Sequence, residues 1–222
     1  MIVDQPLAPL AVLAFLGMAV FTVVLVVMIV ITKFSRKTAM SILLTKVLGI
    51  GLGMYFVVLL GVSAFSKDYD LKRGVEKHFC EIDCHLAYSV TKVESVTSVP
   101  ADFSPKIAFP PGQLYIVTLR THFDETTIGP NRGNAPLSPN PRKVYIRDET
   151  GKQYAPQVAI AGTPLEQALR PGESYETRIL FSLPAGVKEP RMFLGNDDWP
   201  DTFLIGHENS PLHGKAYFDL KG

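Results

Sequence analysis

The sequence predicts a membrane-anchored all-β protein, a two-helix transmembrane hairpin followed by a β-sandwich. Three observations carry this. Two long apolar runs open the chain, at about 7–32 and 40–65. Short segments rich in β-branched and aromatic residues fill most of the remainder. Pro-, Gly- and Asn-containing connectors separate them, with no strong helical period between.

The first run, 7–32, contains no charged residue, and the second, 40–65, contains only Lys46. Each exceeds the roughly 20 residues that cross a bilayer as a helix. The flank MIVDQP carries an acid and no base, whereas a secretory signal opens with positive charge, so the first run reads as a retained span. The connector KFSRKTA holds Lys33, Arg36 and Lys37 and no acid, which assigns it to the cytoplasm. The expected protein is then a two-pass one of the inner (cytoplasmic) membrane, both termini on the periplasmic side. Lys46 lies about two turns into the second helix, near enough to the cytoplasmic face to snorkel. Gly49 and Gly53 are four apart and share a helix face, which makes them the expected helix-packing positions, against the first helix or a partner's. Two helices satisfy one another along one stripe only, so membrane lipids and other membrane-protein subunits are the expected partners.

Residues 67–222 carry 18 Lys+Arg (22 − 4) and 20 Asp+Glu (21 − 1), a net charge of −2. Near-neutrality excludes a nucleic-acid partner and a polybasic lipid-binding surface. Taken in order, 1–66 is the helical hairpin, 67–83 a charged tether, and 84–222 an extracytoplasmic β-sandwich. HLAYSVTKVESV partly alternates, and QLYIVTLRTHF (113–123) alternates strongly, with Tyr115, Val117, Leu119, Thr121 and Phe123 on one face. KVYIRDETGKQYAP (143–156) reads as strand, turn and strand around Thr150-Gly151-Lys152. ESYETRILFSLP (173–184) follows the turn Arg170-Pro171-Gly172, and short strands are expected at 191–194 and 215–220. About seven strands result, with one helical turn at 164–169. The connectors 98–112 and 124–141 are long and proline-rich, a length usually kept for binding or irregular segments.

Residues 113–194 resemble the telokin-like, immunoglobulin-like domain of bacterial membrane and lipid-anchored proteins. The likeness is carried by a D-x-x-G-x-x-Y run at Asp148, Gly151 and Tyr154, by Pro171-Gly172-Glu173, and by Phe181 and Pro184 in the strand that follows. It spans about a third of the chain and implies an immunoglobulin-like sandwich used for contacts, with no catalytic residue. The overall layout is also loosely similar to subunit II of cytochrome oxidases. That subunit holds copper on C-x-x-x-C-x-x-x-H-x-x-x-M. Here His85 follows Cys84 directly, Tyr88 stands four after it, and no Met completes the run, so that centre is not expected.

Cys80 and Cys84 are the only cysteines. Outside the cytoplasm thiols are commonly oxidised. A disulfide requires Cα atoms about 4.4–6.8 Å apart, which residues four apart reach in a helical turn and not in a strand. The expectation is a Cys80–Cys84 disulfide. The alternative is a copper or zinc site on Cys80, Cys84 and His85, with His78, and with His207 and His213 from the far end of the chain. Asp197, Asp198 and Asp201 surround Trp199 without calcium-loop spacing and read as a solvated turn beside a tryptophan that packs or meets a partner. No nucleophile elbow, phosphate loop, zinc-protease helix or catalytic carboxylate pair is present, so no enzyme activity and no cofactor are expected. The expected function is a non-catalytic accessory or scaffold subunit of a larger membrane complex, photosynthetic or respiratory. The alternative is a metal-handling or electron-transfer subunit.

Overall fold

The computed structural model describes residues 8–78, 85–103, 112–140, 143–157, 160–196 and 199–221. The chain divides into two compact units. The first comprises the sandwich and the second the helical hairpin together with residues 198–214.

In the hairpin, α1 runs Ala8–Phe34 and α2 runs Thr38–Phe65, each within two residues of the expected limits. α1 stops because the chain turns left-handed at Arg36, φ 55°. The Arg36 N–H then donates to Lys33 O at 3.1 Å and the Lys37 N–H to Thr32 O at 2.9 Å, which satisfies the last carbonyls of the helix. Hydroxyls within the helices bond back to their own backbone: Thr22 to Met18 O at 2.8 Å, Thr32 to Met28 O at 2.9 Å, Thr45 to Ser41 O at 2.8 Å. The buried residues of α2 form one stripe, Ser41, Leu44, Tyr55, Leu59 and Ser63. Most of the remaining circumference is apolar and exposed, Lys46 being the one charged position on it.

The sandwich has ten strands among the described residues, in two five-stranded sheets. They are β1 Tyr69–Leu71, β2 Lys77–His78, β3 Leu86–Val96, β4 Gln113–Phe123, β5 Lys143–Arg147, β6 Gln153–Tyr154, β7 Ile160–Gly162, β8 Ser174–Leu183, β9 Arg191–Gly195 and β10 Ala216–Asp219. One sheet has the order β1-β10-β9-β5-β6 and the other β2-β3-β4-β8-β7. The first and last strands pair in parallel, Tyr69 opposite Ala216 and Leu71 opposite Phe218. Within the expected tether, 67–83, the short strands β1 and β2 thus belong to the sandwich, and residues 79–83 lie outside the described residues. β1 and β2 are edge strands, and of their residues Leu71, Lys77 and His78 are buried.

The core lies between the sheets. Tyr88, Val90, Val117, Leu119, Ile179 and Phe181 from one sheet meet Ile146, Met192, Leu194 and Phe218 from the other. The second sheet also buries part of its outer face, where Phe103, Leu114, Ile116, Ala161 and Leu180 cluster. The segment before Phe103 covers that face, held by an ion pair between Asp102 and Arg178, whose guanidinium lies 5.0 Å from the Phe103 ring centre. This explains why burial runs nearly continuously through the middle of β4 and β8, where the sequence of 113–123 predicted one buried face.

The resemblance motif has a physical basis at the β5–β6 turn. The Asp148 carboxylate accepts from Thr150 N, Thr150 Oγ1, Lys152 N and Tyr154 Oη at 2.7–2.9 Å. The Thr150 hydroxyl, then Tyr154 and the two amides, hold its pKa down to about 2 against the opposing effect of burial. Gly151 adopts φ 89°, which a side chain would strain. The Pro-Gly-Glu turn is likewise tied to the end of β4. Gly172 N donates to Phe123 O at 3.0 Å, and Phe123 N donates to Glu173 O at 2.9 Å.

Candidate membrane and partner interface

The hairpin unit is where apolar chemistry reaches the surface. Among the described residues, every exposed large hydrophobic side chain except Tyr69, Trp199 and Leu212 lies on α1 or α2. Close approach between the helices occurs at Gly51. A Cβ there would sit 2.8 Å from Phe21 Cε1. At Gly49 and Gly53 a Cβ would meet nothing within 4 Å. Of the two alternatives raised for these glycines, packing against α1 thus falls to Gly51 instead. Residues 49 and 53 are each two positions from it, about 200° of helix rotation, and so share the opposite side of α2. The partner-helix alternative for Gly49 and Gly53 is open to test.

Residues 199–214, which link β9 to β10, fold against this hairpin. A 3-10 helix at Trp199–Phe203 begins the segment. Phe203 stacks on Phe15 at 6.5 Å, meets Phe56 edge-on at 6.5 Å, and is met by Trp199 at 5.2 Å. Tyr55 Oη donates to Phe203 O at 2.6 Å, which pins this aromatic group to α2. Tight turns follow at regular intervals. The amides of Leu204, His207, Ser210 and His213 donate to the carbonyls of Asp201, Leu204, His207 and Ser210 at 2.9–3.2 Å. Gly214 N then donates to Ser66 Oγ at 2.6 Å, closing the segment on the end of α2. An open groove of about 570 Å³ lies at that end, lined by Val58, Gly61, Val62, Phe65, Ser66 and His213. Trp199 is 72% exposed and Leu212 76%. Asp201 is buried within the segment, so it is not part of a solvated acidic cluster, while Asp197 and Asp198 lie outside the described residues.

The sandwich places the predicted histidines as follows. His78 and His122 flank Ala87 on adjacent strands. Glu76 reaches both, with Oε1 3.0 Å from His122 Nδ1 and Oε2 3.8 Å from His78 Nε2. His85 bonds Thr127 Oγ1 through Nδ1 at 2.7 Å and stacks on Phe123 at 5.5 Å. Burial raises the pKa of nearby Asp124, but hydrogen bonds from the Thr126 hydroxyl and amide, with the fields of His78 and His122, bring it below the ordinary value. Lys77 is buried, its Nζ donating to Leu194 O at 2.7 Å over the Phe193 ring at 4.6 Å. Cys80 and Cys84 lie outside the described residues, and with them the expected disulfide and the thiolate half of its metal alternative. His207 and His213 belong to the hairpin unit, His207 accepting from Asn209 N at 3.1 Å. Among the described residues no group of three or more His, Cys, Asp or Glu side chains is placed to hold a metal ion.

The role of 199–214 was not visible in the sequence. Its one available signal was an exposed-type turn sequence carrying Trp199, Phe203 and Leu204.

No family model and no curated protein matches the chain. Among solved structures it is similar to an uncharacterized β-sandwich protein from Clostridium difficile 630, at 11% identity and a TM-score of 0.38, covering 70% of this chain and 97% of that one. It is also similar to the secreted protein MPT63 from Mycobacterium tuberculosis, at 17% identity and a TM-score of 0.40, covering 68% and 98%.

Proposed function

We propose that this chain is a two-pass membrane protein whose immunoglobulin-like sandwich lies outside the cytoplasm, and that it serves as a non-catalytic accessory or scaffold subunit of a larger membrane complex. The observation that supports this reading is the pair of helices. Each is long and apolar enough to cross a membrane, and little of either span is buried within the protein. A core helix of a water-soluble protein buries its apolar side chains, because each one left in water forgoes ~1.5–3 kcal/mol. Here Leu13, Val20, Val23, Ile50 and Val57 all face outward. Lipid or another protein's helices satisfy such surface; water does not.

The basic connector at Lys33, Arg36 and Lys37 supports a cytoplasmic turn, which puts the sandwich on the opposite side. The open face around Gly49 and Gly53 offers a second helix close backbone approach. The partner complex we favour is an energy-transducing one, photosynthetic or respiratory. Gentle solubilisation of native membranes, followed by size separation and mass spectrometry, tests this. Co-migration with a pigment- or haem-bearing assembly is the expected result. Migration as a lone monomer or small homo-oligomer overturns the accessory-subunit reading.

A further inference from the structure

We infer that the start of the segment 199–214 enters the outer leaflet of the bilayer and that its exposed Trp199 contacts lipid. The inference rests on the membrane-spanning reading of α1 and α2 and deepens it.

Depth along the hairpin carries the argument. Phe15 precedes Phe34 by 19 positions (34 − 15) and Phe56 follows Thr38 by 18 (56 − 38), so at ~1.5 Å per residue both lie roughly 27–29 Å from the basic turn. The hydrocarbon core of a bilayer is about 30 Å thick. Phe203, which contacts both rings, and Trp199, which contacts Phe203, are therefore held at the far boundary of the hydrocarbon or just inside it. The basic connector and the snorkelling reach of Lys46 set the near boundary.

Three further features fit a lipid contact. Outside the helices, Tyr69, Trp199 and Leu212 are the exposed large hydrophobic side chains among the described residues, and two of the three belong to this segment. Trp and Tyr favour the boundary between hydrocarbon and headgroups, where the ring is apolar and one polar group stays wet. The backbone of 199–214 is also suited to that depth. Its repeating three-residue turns bond amide to carbonyl internally, and Tyr55 and Ser66 take up one carbonyl and one amide more. Non-helical backbone at membrane depth is tolerated where its polar groups are satisfied by protein. Asp201, the acid of the 3-10 helix, is buried within the protein.

Trp199 is the only tryptophan in the chain, so its fluorescence reports this position alone. The full-length protein is reconstituted in phosphatidylcholine vesicles, with and without phosphatidylcholine brominated at defined acyl carbons, and iodide is added in the water. The expected result is blue-shifted emission, quenched several-fold more by lipid brominated near the top of the acyl chain than by iodide. A Leu212→Trp probe in a Trp199→Phe background, held near the end of α2 by the Gly214–Ser66 bond, is expected to be quenched less by the brominated acyl chains and more by iodide. Strong iodide quenching without effect of brominated lipid, in protein that resists alkaline extraction, overturns the lipid contact and leaves the anchor intact. If iodide access is then lost in native membranes, the face belongs to a protein partner. Release of the protein by alkaline extraction overturns the anchor reading itself.

Discussion

Replacing Gly51 by alanine probes the hairpin's closest approach, and the structure sets the size of the effect. The new Cβ would stand 2.8 Å from Phe21 Cε1, 3.4 Å from Cζ and 3.8 Å from Cδ1. The first distance is about 1 Å inside the optimum carbon–carbon separation of ~3.5–4.0 Å, so the ring must swing or the helices must part. Overpacking of this kind costs ~1–3 kcal/mol. Alanine also favours helix over glycine by up to ~1 kcal/mol, which partly conceals the clash. Gly49→Ala and Gly53→Ala supply the correction, since both gain the same helix preference and neither Cβ meets anything within 4 Å. Unfolding in mixed SDS–detergent micelles is then expected to place Gly51→Ala ~1–3 kcal/mol below the other two. Phe21→Leu in the Gly51→Ala background should recover most of that difference, because the two positions share one contact. Equal stabilities of the three alanine variants would refute the reasoning. In the complex the order should reverse: Gly49→Ala and Gly53→Ala, silent in the isolated chain, are expected to weaken association if that face receives a partner's helix.

Two other predictions concern the sandwich. Asp148 has a folded-state pKa of about 2 against ~3.9 unfolded, so its contribution is fully present above about pH 4 and is lost as pH falls toward 2. Asp148→Asn should therefore melt earlier than the parent at pH 7, with the gap between their thermal midpoints closing between about pH 4 and pH 2; a gap independent of pH would reject the assignment. For Cys80 and Cys84, thiol titration of the unreduced, denatured protein is expected to find no free thiol, and the double serine variant to lose ~2 kcal/mol, as closing a short loop implies. Two titratable thiols together with bound copper would favour the metal alternative.

The helices and most strands were legible because each is encoded by a local period. An uninterrupted apolar run of this length encodes a helix long and apolar enough to cross a membrane, and Asp148, Gly151 and Tyr154 mark a turn whose hydrogen bonds close within seven residues. β4 and β8 were found within a residue of their ends because their apolar pattern is long. β1, β2 and β7 were not, since two or three residues on a sheet edge carry no measurable period, and β1 pairs with β10 at the far end of the chain.

The same distinction separates the helical hairpin from the segment that packs on it. By itself the sequence determined two apolar helices of membrane length, a basic turn between them and a β-rich domain after them, because hydrophobicity and charge act residue by residue. Only the tertiary structure decided that Gly51 and not Gly49 or Gly53 meets Phe21, and that Phe203 seats between Phe15 and Phe56. Those contacts join positions more than a hundred residues apart, or select one face of a helix among several of equal apolarity. Such choices are made by shape and packing, which leave no periodic trace in the chain.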